Sequence, residues 1–162
     1  MSYPDPRYLG ASGEVSARLR RADEPAELTT RTGFCSYLAT GAGTHGQFGL
    51  YRWDMGPEPS GPGPHFHRTM SESFFVLSGT VRIYDGADWV DTSPGDFVFV
   101  PEGGVHGFRN ESGAAASMLI LFAPGAPREG YFEGLVEIAH REQKPSDAEM
   151  QEFFARHDNT WL

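Results

Sequence analysis

Two stretches in the middle of the chain decide its fold: HFHRTMSESFFVLSG at residues 65–79 and GDFVFVPEGGVHGFRN at residues 95–110. Both consist of short apolar runs that are interrupted by glycine, and Pro101 follows the apolar run of the second. Short runs of aromatic and β-branched residues between Gly and Pro are typical of strands joined by tight turns. We therefore predict that this part of the chain forms a β-sandwich or β-barrel.

The same pattern of short strands extends outward from these two stretches over residues 28–125. After Pro127, apolar residues recur about every three and a half positions, which indicates an amphipathic helix. A second helix is predicted to begin at Ser146, because Ser146 and Glu149 have the spacing of a capping box. The fold class is therefore predicted to be all-β, with a short C-terminal helical extension.

The chain is expected to form a single domain over residues 1–162, because this length is typical of one domain. Residues 1–27 are polar, contain several Pro and Gly, and are interpreted as an N-terminal arm that packs on the barrel or on a partner subunit. The β-barrel is expected over residues 28–125. Helices are expected over residues 126–162.

Composition restricts the partners and the compartment of the protein. The chain has 13 Lys plus Arg against 22 Asp plus Glu, and the resulting net charge of −9 repels nucleic acid and anionic membranes. The single cysteine, Cys35, excludes a disulfide within the chain. The N-terminus lacks an apolar signal segment, and the longest apolar run, residues 118–123, is far shorter than the ~20 residues that span a bilayer. We therefore expect a soluble cytoplasmic protein that binds neither nucleic acid nor membrane.

Three histidines and one glutamate in these stretches indicate a metal site. His65 and His67 are two positions apart, so their side chains point to the same face of a strand. Glu72 follows His67 by five positions, an odd step, so we expect a turn at residues 68–71 that delivers its carboxylate from the next strand. His106 follows a sharp turn rich in Pro and Gly, and is expected to approach from a third position.

These ligand types restrict the metal. Imidazole nitrogens with one carboxylate suit a divalent first-row transition metal, which leaves Fe, Mn, Ni, Co, Cu and Zn as candidates. On a five- or six-coordinate ion, four protein ligands leave positions open for a substrate, unlike a closed structural site. The alternative is a metal that only braces the β-structure.

Apolar residues near the expected ligands are candidates for a substrate pocket. Phe74 and Val76 share a strand face with the glutamate, and Phe108 shares one with the last histidine. The alternative is that all three belong to the ordinary core. Tyr51 and Trp53 share a face of an earlier strand, but their pattern does not decide whether that face is inward.

The two stretches resemble the two motifs of the cupin superfamily. These are His65-x-His67-x4-Glu72-x6-Gly79 and Gly95-x5-Pro101-x-Gly103-x2-His106-x3-Asn110. One departure is Pro59, which stands where the first motif usually opens with Gly. The resemblance implies a double-stranded β-helix, or jelly-roll barrel, in which His65, His67, Glu72 and His106 bind one divalent metal. It also implies a homodimer, since related small cupins are commonly dimers.

The function is inferred from the same resemblance. A site of three histidines and one glutamate is similar to that of quercetinase-type, flavonol-cleaving dioxygenases, and residues 130–135 and 153–158 are similar to the tails of quercetinase-like bacterial cupins. This implies a metal-dependent dioxygenase that cleaves a hydroxylated aromatic substrate, flavonol- or polyketide-like, with molecular oxygen and with Glu72 as catalytic base. Two alternatives remain open: a non-redox metal-dependent cyclase or isomerase, and a non-catalytic ligand-binding cupin.

Overall fold

The computed structural model describes residues 2–162, which contain eleven strands and two helices. The strands are β1 (Leu28–Thr30), β2 (Gly33–Ala39), β3 (Gly49–Met55), β4 (His65–Phe66), β5 (Ser71–Ser78), β6 (Val81–Tyr84), β7 (Trp89–Thr92), β8 (Phe97–Val100), β9 (Gly107–Arg109), β10 (Ala116–Ala123) and β11 (Thr160–Trp161). The helices are α1 (Glu129–His140) and α2 (Asp147–Arg156). In the described residues strands predominate and both helices follow Pro127, so the predicted all-β class with a C-terminal helical extension is confirmed.

Antiparallel pairing arranges the strands in three sheets. The largest has six strands in the order β1-β2-β3-β10-β5-β8, and a second has three in the order β7-β6-β9. The short strands β4 and β11 form a separate pair. Strand β10 lies between β3 and β5, so residues far apart in sequence become neighbours. Within residues 2–162 the sheets are not joined into one continuous ring of hydrogen bonds, and they enclose a core in the manner of a jelly roll.

Alternation along β5 and β10 decides which side chains enter the core. Successive residues of a strand point to opposite faces, and Phe74, Val76, Ile120 and Phe122 are all buried. Burying a side chain of this size contributes about 1.5–3 kcal/mol. Glu72 lies on the same face of β5 as Phe74 and Val76, so the apolar residues that anchor the strand also turn its carboxylate inward.

The helical extension packs against the β-structure through aromatic contacts. The Phe132 ring of α1 meets the rings of Tyr51 and Trp53 edge-on, with centroids 5.2 and 5.4 Å apart. Helix α2 begins after Ser146, whose hydroxyl accepts from the backbone N–H of Glu149 while the Glu149 carboxylate accepts from the backbone N–H of Ser146. The predicted capping box is therefore confirmed. After α2 the chain returns as β11 to pair with β4, a strand that the sequence pattern did not predict.

The N-terminal segment differs from the rest of the chain. Residues 2–27 contain no helix or strand, and most of their side chains are exposed. Neither helix of residues 2–162 has the length and apolar character to cross a membrane.

Candidate metal centre and its cavity

Two of the predicted ligands face each other across an antiparallel bridge. The backbone N–H of His65 donates to the carbonyl oxygen of His106 over 2.8 Å, and the N–H of His106 donates to the carbonyl of His65 over 2.9 Å. Side chains of directly opposed residues lie on the same face of an antiparallel pair. Both imidazoles therefore point into the same space, with ring centroids 4.4 Å apart.

The other two ligands come from the turn after β4 and from β5. Strand β4 ends at Phe66 and β5 begins at Ser71, so the turn expected between His67 and Glu72 is confirmed. This turn resets the alternation, and Glu72 points to the same interior as the histidines despite the odd step between them. Met70 lies in the turn and is 1% exposed, so its burial anchors the loop.

The four side chains converge on one point in the interior. One ligand atom from each of His65, His67, Glu72 and His106 lies within 4.8 Å of all the others. The four residues are between 1% and 4% exposed. The Oε2 atom of Glu72 lies 2.9 Å from Nε2 of His67 and 2.8 Å from Nε2 of His106. Burying a carboxylate is costly unless it is paired or binds a metal. Glu72 can do both, because its Oε2 atom lies beside two histidines and all four residues can reach one metal ion.

The Nδ1 atom of each imidazole is held by a backbone carbonyl. Nδ1 of His65, His67 and His106 lies 2.9, 2.6 and 2.9 Å from the carbonyl oxygens of Gly63, Asp158 and Gly104 respectively. A carbonyl can only accept, so Nδ1 carries a proton; Nε2 presents a lone pair when the ring is neutral and donates to Glu72 only when the ring is protonated. Three such nitrogens with one carboxylate form a donor set that suits a divalent cation, and the carbonyls orient them. The residues present therefore fit a metal of the predicted class.

Burial and the close carboxylate shift the pKa values of these groups in different directions. Burial lowers the pKa of His65 to about 4, and the neighbouring His106 adds to the effect. Burial also acts to lower the pKa of His106, but the hydrogen bond and charge of Glu72 outweigh it and raise that pKa. Burial acts to raise the pKa of Glu72, but hydrogen bonds from His106 and His67 outweigh it and hold that pKa well below its usual range. At neutral pH, Glu72 is an anion and His65 is neutral, as metal binding requires.

Sequence reasoning missed the contribution of Asp158 to this site. Its backbone carbonyl accepts from Nδ1 of His67, and its carboxylate accepts from the backbone N–H groups of Arg68 and Thr69 over 2.9 and 2.8 Å. These bonds fix the loop that carries His67. No local signal could have found them, because Asp158 lies 91 positions from His67 and follows a helix as many surface residues do.

A cavity of about 810 Å³ opens beside the four ligands. His65 and Glu72 form part of its wall, together with Phe108 from the β-structure and Phe132 and Trp161 from the C-terminal region. The Trp161 ring also lies over the His65 ring, with centroids 5.0 Å apart. A mainly apolar and aromatic wall with a few polar groups is typical of a small-molecule site.

The residues predicted for a substrate pocket occupy different positions. Phe108 lines the cavity. Phe74 and Val76 are 1% and 2% exposed, and in the part of the chain that the structure describes they lie in the packed core rather than in the cavity wall. On β3, Trp53 lines the cavity, and Tyr51 on the same face is fully buried, so this face of the strand is the inward one.

Known proteins resemble the central part of this chain. Residues 51–122 match the family model described as Cupin domain. Over 88 residues the chain is 30% identical to the quercetin 2,3-dioxygenase of Bacillus subtilis (strain 168), a match that covers 54% of this chain and 26% of that protein. The chain spans between about a quarter and a half of the length of the curated relatives it matches.

Solved structures resemble the chain in fold. An uncharacterized conserved protein with a double-stranded β-helix domain from Klebsiella pneumoniae superposes with a TM-score of 0.56 at 19% identity, covering 69% of this chain and 94% of that one. The polyketide cyclase RemF from Streptomyces resistomycificus superposes with a TM-score of 0.56 at 24% identity, covering 67% and 79%. At sequence identities this low, a superposition shows only that the folds are alike. The predicted double-stranded β-helix is therefore confirmed.

Proposed function

We propose that this chain, whose residues 51–122 match a cupin domain, is a metal-dependent dioxygenase, similar to quercetinases, that acts on a hydroxylated aromatic substrate. The observation that carries the proposal is the burial of three histidines and one glutamate beside a large aromatic cavity. The match to a quercetin 2,3-dioxygenase supports the same chemistry. The substrate class is flavonol- or polyketide-like, because the wall favours flat ring systems.

The proposed metal ligands are His65, His67, Glu72 and His106. A bound divalent transition metal supplies a Lewis acid that lowers the pKa of a substrate hydroxyl and a centre at which dioxygen reacts. The protein contributes the orientation of the ligands, because each imidazole is fixed by a carbonyl on its far side.

Glu72 is the proposed base for the substrate hydroxyl, since its carboxylate belongs to the cavity wall. Hydrogen bonds from Nε2 of His67 and His106 hold its pKa low in the absence of a metal. With the metal bound, the three histidine Nε2 atoms would bind it, and Glu72 would take the proton of the substrate hydroxyl on a carboxylate oxygen, a step that typically contributes about 10²–10⁴-fold in rate.

The cavity has the dimensions that the proposed substrate needs. Small-molecule sites span roughly 300–1,000 Å³, and the cavity here has about 810 Å³. Trp53, Phe108 and Phe132 present aromatic surfaces to it, and each favourable ring contact contributes about 0.5–1.5 kcal/mol beyond burial.

Oxygen uptake tests the proposed function. Protein stripped of metal and reloaded separately with Fe, Mn, Ni, Co, Cu or Zn is given quercetin, while dissolved oxygen and product are followed together. We expect at least one loaded form to consume oxygen in equal amount to the quercetin degraded, and His106→Ala protein to consume none. Turnover without oxygen uptake would favour a non-redox cyclase or isomerase. Binding without product in all six forms would favour a non-catalytic ligand-binding protein.

A further inference from the structure

Arg128 is a buried guanidinium in the wall of the cavity. It is 3% exposed and lines the same space as His65 and Glu72. Arginine is almost never fully buried unless it is paired. Five other arginines form ion pairs, but within residues 2–162 no carboxylate pairs with Arg128. A cation in this position needs an explanation beyond packing.

Contacts within the protein use only one of the three guanidinium nitrogens of Arg128. Nη1 donates to the carbonyl oxygen of His157 over 2.7 Å and to Oδ1 of Asn159 over 3.0 Å. Nε is buried without an acceptor, and Nη2 donates to none of the described residues. The Nε–H group and one N–H of Nη2 form the fork that binds both oxygens of a carboxylate. The half of the guanidinium suited to a carboxylate is therefore the half without a partner.

Aromatic rings cover the faces of the same guanidinium. Its central carbon lies over the rings of Phe122, Tyr131 and Phe132, at 4.9, 4.3 and 5.6 Å from their centroids. These rings hold the guanidinium plane in place and exclude water from its faces. An anion that reached its edge would meet a preoriented donor pair in surroundings of low dielectric, where the attraction is stronger than in water.

Other unpaired donors belong to the same cavity. Among the described residues, Nε1 of Trp53, Nε1 of Trp161 and Oγ of Ser60 are buried without a partner, and all three residues line the cavity. An indole N–H can only donate. Residues with unpaired donors are therefore concentrated around this cavity, in keeping with a ligand that supplies oxygen acceptors.

We propose that Arg128 is the anion-recognition residue of this cavity and that its ligand is an aromatic carboxylate, held by a two-point hydrogen bond from Nε and Nη2. The proposal deepens the proposed function and rests on it for the hydroxyl group that faces Glu72. Within the proposed class, the preferred substrate becomes a hydroxylated aromatic acid, with its hydroxyl directed to the metal ligands and its carboxylate to Arg128. Neutral aromatic compounds of the same shape still enter the cavity, but they lack this contact and bind less tightly.

Matched naphthalene probes test this proposal. The anionic 2-naphthoate and the neutral 2-naphthamide have nearly the same shape, and calorimetric titration at pH 8 compares them on the full chain, both as purified and after chelator treatment. We expect 2-naphthoate to bind roughly 10–100-fold more tightly, the factor that a charge-assisted hydrogen bond contributes. In Arg128→Met protein this preference disappears, because 2-naphthoate loses far more affinity than 2-naphthamide. Arg128→Lys keeps the positive charge but not the pair of parallel N–H donors, so it retains only part of the preference for 2-naphthoate.

The control is Arg52→Met, which removes an arginine that pairs with Asp54 and lies outside the cavity wall. This variant should prefer 2-naphthoate over 2-naphthamide by the same factor as the wild type. Equal affinities of the wild-type protein for the two probes overturn the proposal without any variant. A preference that survives Arg128→Met also overturns it, because the histidines then hold the carboxylate. Equal loss of both affinities in that variant assigns Arg128 a structural role instead. Chelator-treated protein performs no turnover, so these results stand apart from those of the oxygen-uptake experiment.

Discussion

Glu72 is the residue at which binding and catalysis can be separated. Glu72→Gln keeps the size of the side chain, but its amide cannot take up a proton. We predict that this variant keeps a sizeable share of metal on its three histidines but turns over a hydroxylated aromatic substrate at least ~100-fold more slowly per bound metal. Metal analysis with parallel oxygen uptake measures both quantities. Glu102→Gln, at an exposed position in the second motif, is the control, and near-native turnover of Glu72→Gln would reject the role as base.

The histidines differ in how they compete with protons for the metal. Ligating imidazoles must be neutral. The raised pKa of His106 means that, without metal, it takes up a proton above the ordinary histidine value, whereas the pKa of about 4 for His65 keeps that ring neutral to much lower pH. As pH falls, metal affinity should therefore begin to decrease at or above the ordinary histidine pKa of ~6.5, with His106 as the first site of protonation. Metal retained against excess chelator from pH 8 to pH 4 measures this. Occupancy that does not change with pH would mean that other groups hold the metal.

The conformation of the loop between β4 and β5 depends on Asp158, a residue about 90 positions further along the chain. Asp158 has a φ of 54°, a conformation that Asp, Asn and Gly adopt more readily than other residues. Glycine at this position can keep the same backbone conformation. Asp158→Gly therefore removes only the carboxylate that accepts from the backbone N–H groups of Arg68 and Thr69. We predict that it weakens metal affinity ~10–100-fold, the usual effect of losing a partner that orients a ligand. Asp147→Gly at the first turn of α2 is the matched control for affinity, and equal metal dissociation constants for the wild type and Asp158→Gly would contradict the prediction.

Over the whole molecule, the outer face of the six-stranded sheet is the candidate surface for the expected homodimer. Phe75 and Leu77 of β5 and Phe97 and Phe99 of the edge strand β8 are 40%, 38%, 61% and 59% exposed, and they form one apolar area. Exposed apolar areas of this kind mark interaction sites, and edge strands are normally covered. We propose a second copy of the chain as the occupant, because β8 is an edge strand beside this area and a homodimer is expected from the resemblance to small cupins.

Replacing the edge-strand aromatics tests this interface. We predict that the double variant Phe97→Ser/Phe99→Ser sediments as a monomer at concentrations where the wild type is a dimer. Val90→Ser is the control, because Val90 is 46% exposed on β7 of the other sheet. A wild-type monomer, or a double variant that remains dimeric, would exclude this surface as the interface.

Much of the candidate site could be predicted because its signals are local. The step of two between His65 and His67 places both rings on one face, and the odd step to Glu72 requires a turn, which the structure contains between β4 and β5. The capping box at Ser146 and Glu149 spans four residues and could likewise be predicted from the sequence. Such patterns are encoded within one strand or one helical turn, so they do not depend on how the rest of the chain packs.

The all-β class, the C-terminal helices and the grouping of three histidines with one glutamate follow from composition and local spacing alone. Three features emerge only when the chain is folded: the face of β3 carrying Trp53 is inward, Phe74 and Val76 lie in the core, and Asp158 and Arg128 reach the site. The reason is physical: strand alternation states which residues share a face but not which face is covered. For β3 the choice depends on α1, whose Phe132 covers Tyr51 and Trp53, and for the site it depends on contacts that join residues about 90 positions apart.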